Sequence, residues 1–273
     1  MRPGTYVYCL VAAPRVPSLN RIRRGPAGLG PVRLLAVEDT APHRRVRSSR
    51  AGARAAGLRK WLVVADAPAS QYNEAAINRR LSDVDWVSRA AVAHERVVER
   101  FTDQPAVLPM KLFTIFTSDE RALEHVKTDS RRVNAVVNRV AGCQEWGVRL
   151  LFDVGRARGS QSARRKTVAS GTAYLSLKKA QSDRAAEAVG RAREVVADLY
   201  DRLDRLSVAS KRRSASELAV DGRSVLMDGA FLVPHRRVRQ FHAAAGRESK
   251  ALERQGYRVT VSGPWPPYSF VQD

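Results

Sequence analysis

The sequence predicts an α+β protein of two domains with ferredoxin-like, split βαβ character. The N-terminal one is modified, and each has an antiparallel sheet with helices packed on one face. Three features predict it. The chain has 273 residues, a length that suits two ordinary domains with real cores. Its apolar runs are short and bounded by glycine, proline and polar clusters. In the second half the elements run strand, helix, strand, strand, helix, strand, which is the split βαβ order. The domains are expected at 1–142 and 143–273, the second ending in a docked aromatic and proline-rich tail.

Residues 5–11 (TYVYCLV), 32–38 (VRLLAVE) and 60–65 (KWLVVA) read as apolar strands. Breaker-rich connections separate them, Pro14 to Pro31 and the basic, small-residue stretch Thr40 to Gly57. Ser82 followed by Asp85 resembles a capping box. Val84, Val87, Ala91, His94, Val98 and Phe101 then recur at helical steps and mark one buried face. AVLPMKLFTIF (106–116) is extended, and Pro109 argues for an edge or a bulge. Thr117-Ser118-Asp119-Glu120 opens a helix to about Val140, which Gly142 ends.

The second half starts with a strand at 145–153 (EWGVRLLFD) and the basic loop GRARGSQSARRK. After GTAYLSLKKA comes a long helix with Ala185, Ala188, Ala192, Val195, Leu199, Leu203 and Leu206 on its apolar face. Strands follow near 214–221 and 223–233, then a helix from Pro234 to about Gln255 and a last strand at 256–263. No residue-level internal repeat relates the halves.

Composition bounds the function. Two cysteines, Cys9 and Cys143, make neither a disulfide framework nor a zinc set, so a reducing compartment such as cytosol is expected. No apolar run approaches a membrane span. The formal charge of +21 suits a polyanion, but the basic residues are spread along the chain, which favours compositional bias and solvated faces. Gly25, Gly28 and Gly30 lead into a strand, the wrong context for a dinucleotide fingerprint. His94-Glu95 opens like a zincin helix, but Val98 stands where the second imidazole belongs, so His94 reads as a core histidine. His235 and His242 read as surface or packing residues. Asp83/Asp85 and Asp119/Glu120 read as helix starts. No nucleophile elbow, P-loop or kinase signature is present, so no catalytic, metal or cofactor-binding residue is expected. DGAFLV half matches an RNA-recognition strand. Asp228 precedes its glycine, Ala230 and Pro234 fill aromatic positions, and only Phe231 fits. An RNA-binding ferredoxin-like protein is the alternative reading.

GPWPPYSFV (263–271) sets three aromatics and three prolines near the end of the chain. Prolines lower the entropy of ordering, and aromatic burial offsets the remainder, so this tail is expected to fold down on the protein. The competing reading is an apolar surface offered to a partner.

Several segments, in this order and over nearly the whole chain, resemble the gas vesicle accessory proteins L and F (GvpL/GvpF). They are TYVYCLV, AVAHERVVE, AVLPMKLFTIFTSDE, GCQEWGVRLLFD, SGTAYL and GYRVTVSGPWPPYSFV. The chain departs at one place. Where the family has Arg, an aromatic and Gly, it carries Lys111, Leu112 and Phe113. The resemblance implies a factor for building gas vesicles, the hollow protein-walled flotation organelles of some prokaryotes. It implies two domains of ferredoxin-like character and no known catalysis, which agrees with the residue-level expectation of no cofactor and no membrane partner. It also implies association with the small hydrophobic shell protein and other accessory proteins, in a cytoplasmic, gas vesicle associated setting. The expected task is to cover strand edges and apolar surface. Lys111, Trp265, Tyr268 and Phe270 are the candidate partner-binding residues.

Overall fold

Almost every residue of the first strand is buried, and that strand is the centre of its sheet. The computed structural model describes residues 3–20, 22, 25–38, 55, 57–152, 190–213 and 224–271. It divides into two units, Met1–Glu145 with Pro264–Asp273, and Trp146–Gly263.

The first unit contains β1 (Gly4–Ala13), β2 (Arg33–Val37), β3 (Arg59–Ala67), α1 (Ala69–Tyr72), α2 (Glu74–Arg80) and α3 (Val84–Glu99). It continues with β4 (Ala106–Pro109), β5 (Ile115–Phe116), α4 (Asp119–Thr128) and α5 (Ser130–Val140). The sheet order is β2-β3-β1-β4, with β5 also paired to β1. β1 and β3 run antiparallel from Gly4↔Ala67 to Ala13↔Arg59, with an irregularity between Val7 and Cys9. Pro109 pairs with Cys9 on the edge strand β4, where a missing N–H is tolerated. This is the split βαβ strand order, but the described residues between β1 and β2 contain no helix. That is the modification in this unit.

Helices cover both faces of this sheet rather than the expected one. Tyr6, Tyr8, Val11, Trp61 and Val63 pack with Val97, Val98 and Phe101 from and just beyond α3. Leu10, Leu62 and Val64, which alternate with them, are also fully buried, and α4 lies against β1 and β2. A strand buried on both faces reads as a continuous apolar run, as TYVYCLVAA does.

Helix boundaries differ in detail. Asp83, not Ser82, caps α3, its side chain accepting from the Trp86 N–H. Val84 is therefore exposed, and the buried stripe is Ala90, His94, Val97 and Val98. The expected helix from Thr117 to Val140 is two helices broken at Asp129, the first capped by Ser118. α1 and α2 carry too short a pattern to be expected.

The second unit is built on β6 (Cys143–Phe152), a helix α6 (residues 190–204), β7 (Ala209–Arg213) and β8 (Ser224–Pro234). A 3-10 turn (His235–Arg237), α7 (Val238–Glu253) and β9 (Tyr257–Trp265) complete it. The order β7-β8-β6-β9 repeats that of the first sheet, and β7 pairs antiparallel with β8. Its core joins Trp146, Val148 and Leu150 to Leu199, Leu203, Phe231, Phe241 and Val259. The expected strand at 214–221, the basic loop after β6, Ala185, Ala188 and nearly all of 40–57 lie outside the described residues. The short helix α8 (Tyr268–Val271) packs with the first unit.

One ion-pair cluster ties four elements of the first unit. Arg33 on β2 donates from Nη2 to Asp66 on β3 at 2.6 Å and from Nη1 and Nη2 to Asp119 at 2.7 and 2.9 Å. Thr5 on β1 donates to the same Asp119 at 2.6 Å. The Arg33 bonds, more than those of Thr5, hold the Asp119 carboxyl below its ordinary range. Its contribution is therefore complete above the unfolded carboxylate range and is lost as pH falls through the folded value. Asp119→Asn should lower stability by about 1.5–3 kcal/mol, the range for hydrogen bonds to charged groups. Denaturant titration at neutral pH checks the loss, and the difference from wild type should shrink in strong acid.

Candidate functional site

β2 ends the strand path of the first sheet. It pairs with β3 from Arg33↔Val64 to Val37↔Lys60, and among the described residues no strand lies on its outer side. The opposite edge, β4, is fully buried. At the end of β2 a shallow, open hollow is lined by Val37, Glu38, Lys60, Val126, Lys127, Ser130, Val133 and Asn134. Val37, Val126 and Val133 give it apolar walls, while Lys127 pairs with Glu38 at 3.6 Å on its charged side.

The loop carrying Lys111 turns back from β4 to β5. Thr114 closes it with bonds to the Lys111 carbonyl, from its N–H at 3.1 Å and its hydroxyl at 2.7 Å. Phe113 adopts φ 63°, a left-handed conformation. This is the position where the resemblance expects glycine, and phenylalanine makes the turn without it. Its ring stacks on Trp86 at 5.0 Å and 7° between planes. Its N–H reaches the Tyr6 hydroxyl at 3.4 Å, and Tyr6 in turn lies 2.8 Å from Nδ1 of His94. A stacked pair is worth about 0.5–1.5 kcal/mol, comparable to the cost of about 1–2 kcal/mol for the left-handed backbone.

The tail is a clasp. Pro266, Pro267 and Phe270 are buried. Tyr268 donates to Glu95 Oε2 at 2.5 Å, and Ser269 donates to Glu145 from its N–H at 2.9 Å and its hydroxyl at 2.8 Å. Glu145 is itself buried, so it enters a low-dielectric site already matched to two donors. Burial raises the Glu95 carboxyl, and the Tyr268 bond opposes that shift.

The four candidate residues thus separate. Lys111 is exposed on its loop, and Trp265 is 42% exposed at the end of β9. Tyr268 is half-buried and Phe270 is 1% exposed, so both face inward. Glu95 and Glu145, which seat the tail, carry no sequence signal as its partners. They stand in AVAHERVVE and EWGVRLLFD, where one reads as helix surface and the other as a strand start.

His94 is a core histidine, 3% exposed. Burial lowers its pKa from the ordinary 6.5 to about 4, while the main chain at Met110 works the other way. His242 packs edge-on against Trp146 at 4.2 Å. In the glycine series, a Cβ on Gly25 would strike the Tyr8 hydroxyl, and Gly28 has φ 89°, so these are packing and turn positions. Phe231, the aromatic that fits the RNA-recognition pattern, is buried in the second core. Among the described residues no group of three or more His, Cys, Asp or Glu is placed to hold a metal ion. No helix among them is long and apolar enough to cross a membrane.

Comparison with known proteins adds the following. A family profile described as gas vesicle synthesis protein GvpL/GvpF matches residues 4–272. Gas vesicle protein L of a Streptomyces species is 30% identical over 215 residues, covering 77% of this chain and 79% of that protein. Gas vesicle protein L2 of Halobacterium salinarum is 26% identical over 208 residues, covering 70% and 74%. The crystal structure of gas vesicle protein GvpF from Anabaena is similar with a TM-score of 0.66 and 13% identity, covering 99% of both chains. That of GvpF from Microcystis aeruginosa gives 0.59 at 14% identity, again covering 99% of both. At these identities the two structures speak to the fold.

Two measurements test the geometry. Phe113→Gly should change stability by less than about 1 kcal/mol, because strain relief offsets the lost stack, whereas Phe113→Val keeps the strain and should cost about 1–2 kcal/mol through the lost stack and the poorer fit of a β-branched residue at positive φ. Thermal unfolding ranks the pair. His94 stays neutral in the folded state down to about pH 4, so between the ordinary 6.5 and about 4 the unfolded chain binds the extra proton. Stability should therefore fall on acidification across that window. Glu95, with its raised pKa, acts in the opposite sense, so the difference between wild type and His94→Gln isolates the histidine. It should amount to about 3 kcal/mol between the two ends of the window.

Proposed function

Because the chain belongs to the GvpL/GvpF family of gas vesicle synthesis proteins, we propose that it is a non-catalytic assembly factor. In this reading it works in the cytosol, binding the small hydrophobic shell protein and other accessory proteins during vesicle formation. The observation that carries the proposal is the outer side of β2, unpaired among the described residues, beside a hollow with apolar walls. A shell subunit awaiting polymerisation needs its strand edge and apolar side chains kept from other subunits. An accessory edge strand supplies backbone partners, and a side-chain hollow supplies register.

Lys111 and Trp265 are the two exposed candidates for further contact. Tyr268 and Phe270 act through the tail they anchor, not by touching a partner. RNA binding is disfavoured, since the aromatic that fits its pattern is enclosed in the second core.

Co-expression with the shell protein and recovery of the complex tests the proposal. Ala36 is exposed on β2, and Ala36→Lys places a charge on the edge as natural sheets do to block pairing. It should lower recovery of shell protein by about tenfold, equivalent to about 1.4 kcal/mol, with no change in melting temperature. Lys111→Glu and Trp265→Ala should weaken recovery less. Absence of shell protein from the wild-type complex, when that protein is abundant and soluble, would overturn the reading.

A further inference from the structure

The second unit carries a corner of positive charge that the edge-strand reading does not use. Arg205 follows the last turn of α6, while His235, Arg236, Arg237 and Arg239 form the 3-10 turn and the start of α7. The two segments are locked together. Arg237 donates to the Arg205 carbonyl at 3.3 Å, and the Val208 N–H reaches the Leu232 carbonyl at 2.8 Å. Arg237 therefore has a structural task, capping the carbonyl end of α6. Arg205, His235, Arg236 and Arg239 are exposed, and among the described residues none of their side chains makes an ion pair. Asp201, one turn before Arg205, is exposed and forms no ion pair with it among the described residues, while two other carboxylates are engaged elsewhere. Asp204 accepts from Ser210 at 2.5 Å, and Glu248 pairs with Arg202 at 2.8 Å. The first turn of α7 contains no acidic residue to offset the cluster.

We propose that this corner, centred on Arg205, Arg236 and Arg239, docks an acidic segment of a partner protein. Like charges held together on folded segments repel, and opposite charge on a partner removes that repulsion. Arginine also matches carboxylates two bonds at a time. Cations alone also attract phosphates, but single-strand binders add stacking aromatics beside them. Here Arg212 lies over the Tyr200 ring at 4.5 Å, and Phe231 and Phe241 are buried. The corner belongs to the second unit and β2 to the first, so separate variants test the two readings.

The test uses the full chain and a fluorescein-labelled Glu/Ser peptide, read by anisotropy at low and physiological salt. The triple variant Arg205→Ser, Arg236→Ser, Arg239→Ser is compared with Arg79→Ser, Arg89→Ser, Arg96→Ser, which removes the same charge from exposed positions of α2 and α3. Melting curves establish that both remain folded. The corner variant should weaken peptide binding by about tenfold to thirtyfold, and the control by less than about threefold. The triple Arg→Lys variant at the corner should fall between wild type and the serine form. Equal loss in both serine variants would reduce the effect to net charge and overturn the proposal. Tighter binding of poly-uridylate RNA than of the peptide, lost with the same corner triple, would also overturn it.

Discussion

The guanidinium of Arg33 makes hydrogen bonds to Asp66 and Asp119, and Thr5 shares the second of these. Three strands and the first turn of α4 meet at this point. β2 is short and half-exposed; its ladder with β3 holds it along its length, and the Arg33 cluster adds a side-chain anchor at its start. Arg33 makes four charge-assisted contacts with these two carboxylates, the fourth from Nε to Asp66 at 3.3 Å, and they anchor the start of the strand. With Arg33 and Asp119 about a third exposed and Asp66 about half, water screens these bonds in part and leaves them stronger than a fully exposed pair. Removal of this cluster would loosen the start of the strand that borders the hollow, so the candidate interface depends in part on an interaction that no partner touches.

The same economy of buried acids holds the tail. Glu145 stands near the end of the first unit's main run of sequence, and its carboxylate takes both donors of Ser269. Glu95 receives Tyr268 from a helix that also presents His94 to Tyr6. Aromatic burial and charge-assisted bonding thus act on adjacent residues of one short helix. A tail whose prolines already limit its freedom loses less entropy on docking.

Much of the fold was legible in the sequence because burial leaves a period. β1, β3 and β6 are apolar runs bounded by breakers, and α4 opens on Ser118 and Asp119 as the capping pattern requires. Less legible were features set by contacts far apart in sequence. The break at Asp129 falls inside an uninterrupted helical pattern, and the second helical layer follows only from seeing alternate residues of β1 buried in turn. At the candidate site, the tail's aromatics were visible as unusual, but their direction was not. Composition cannot separate Phe270, which is enclosed, from Trp265, which is not. Nor does any local rule link Arg33 to Asp119, which lie 86 positions apart.

The division of the chain also bears on how the protein comes into being. Residues 264–273 complete the first unit, and the whole of the second unit is encoded before them. A nascent chain on the ribosome therefore makes the bed for Phe270 early and the side chain that fills it only after the whole second unit. Until translation passes the second unit, the first must wait with an apolar slot open. A chain cut short before Phe270 would keep that slot open.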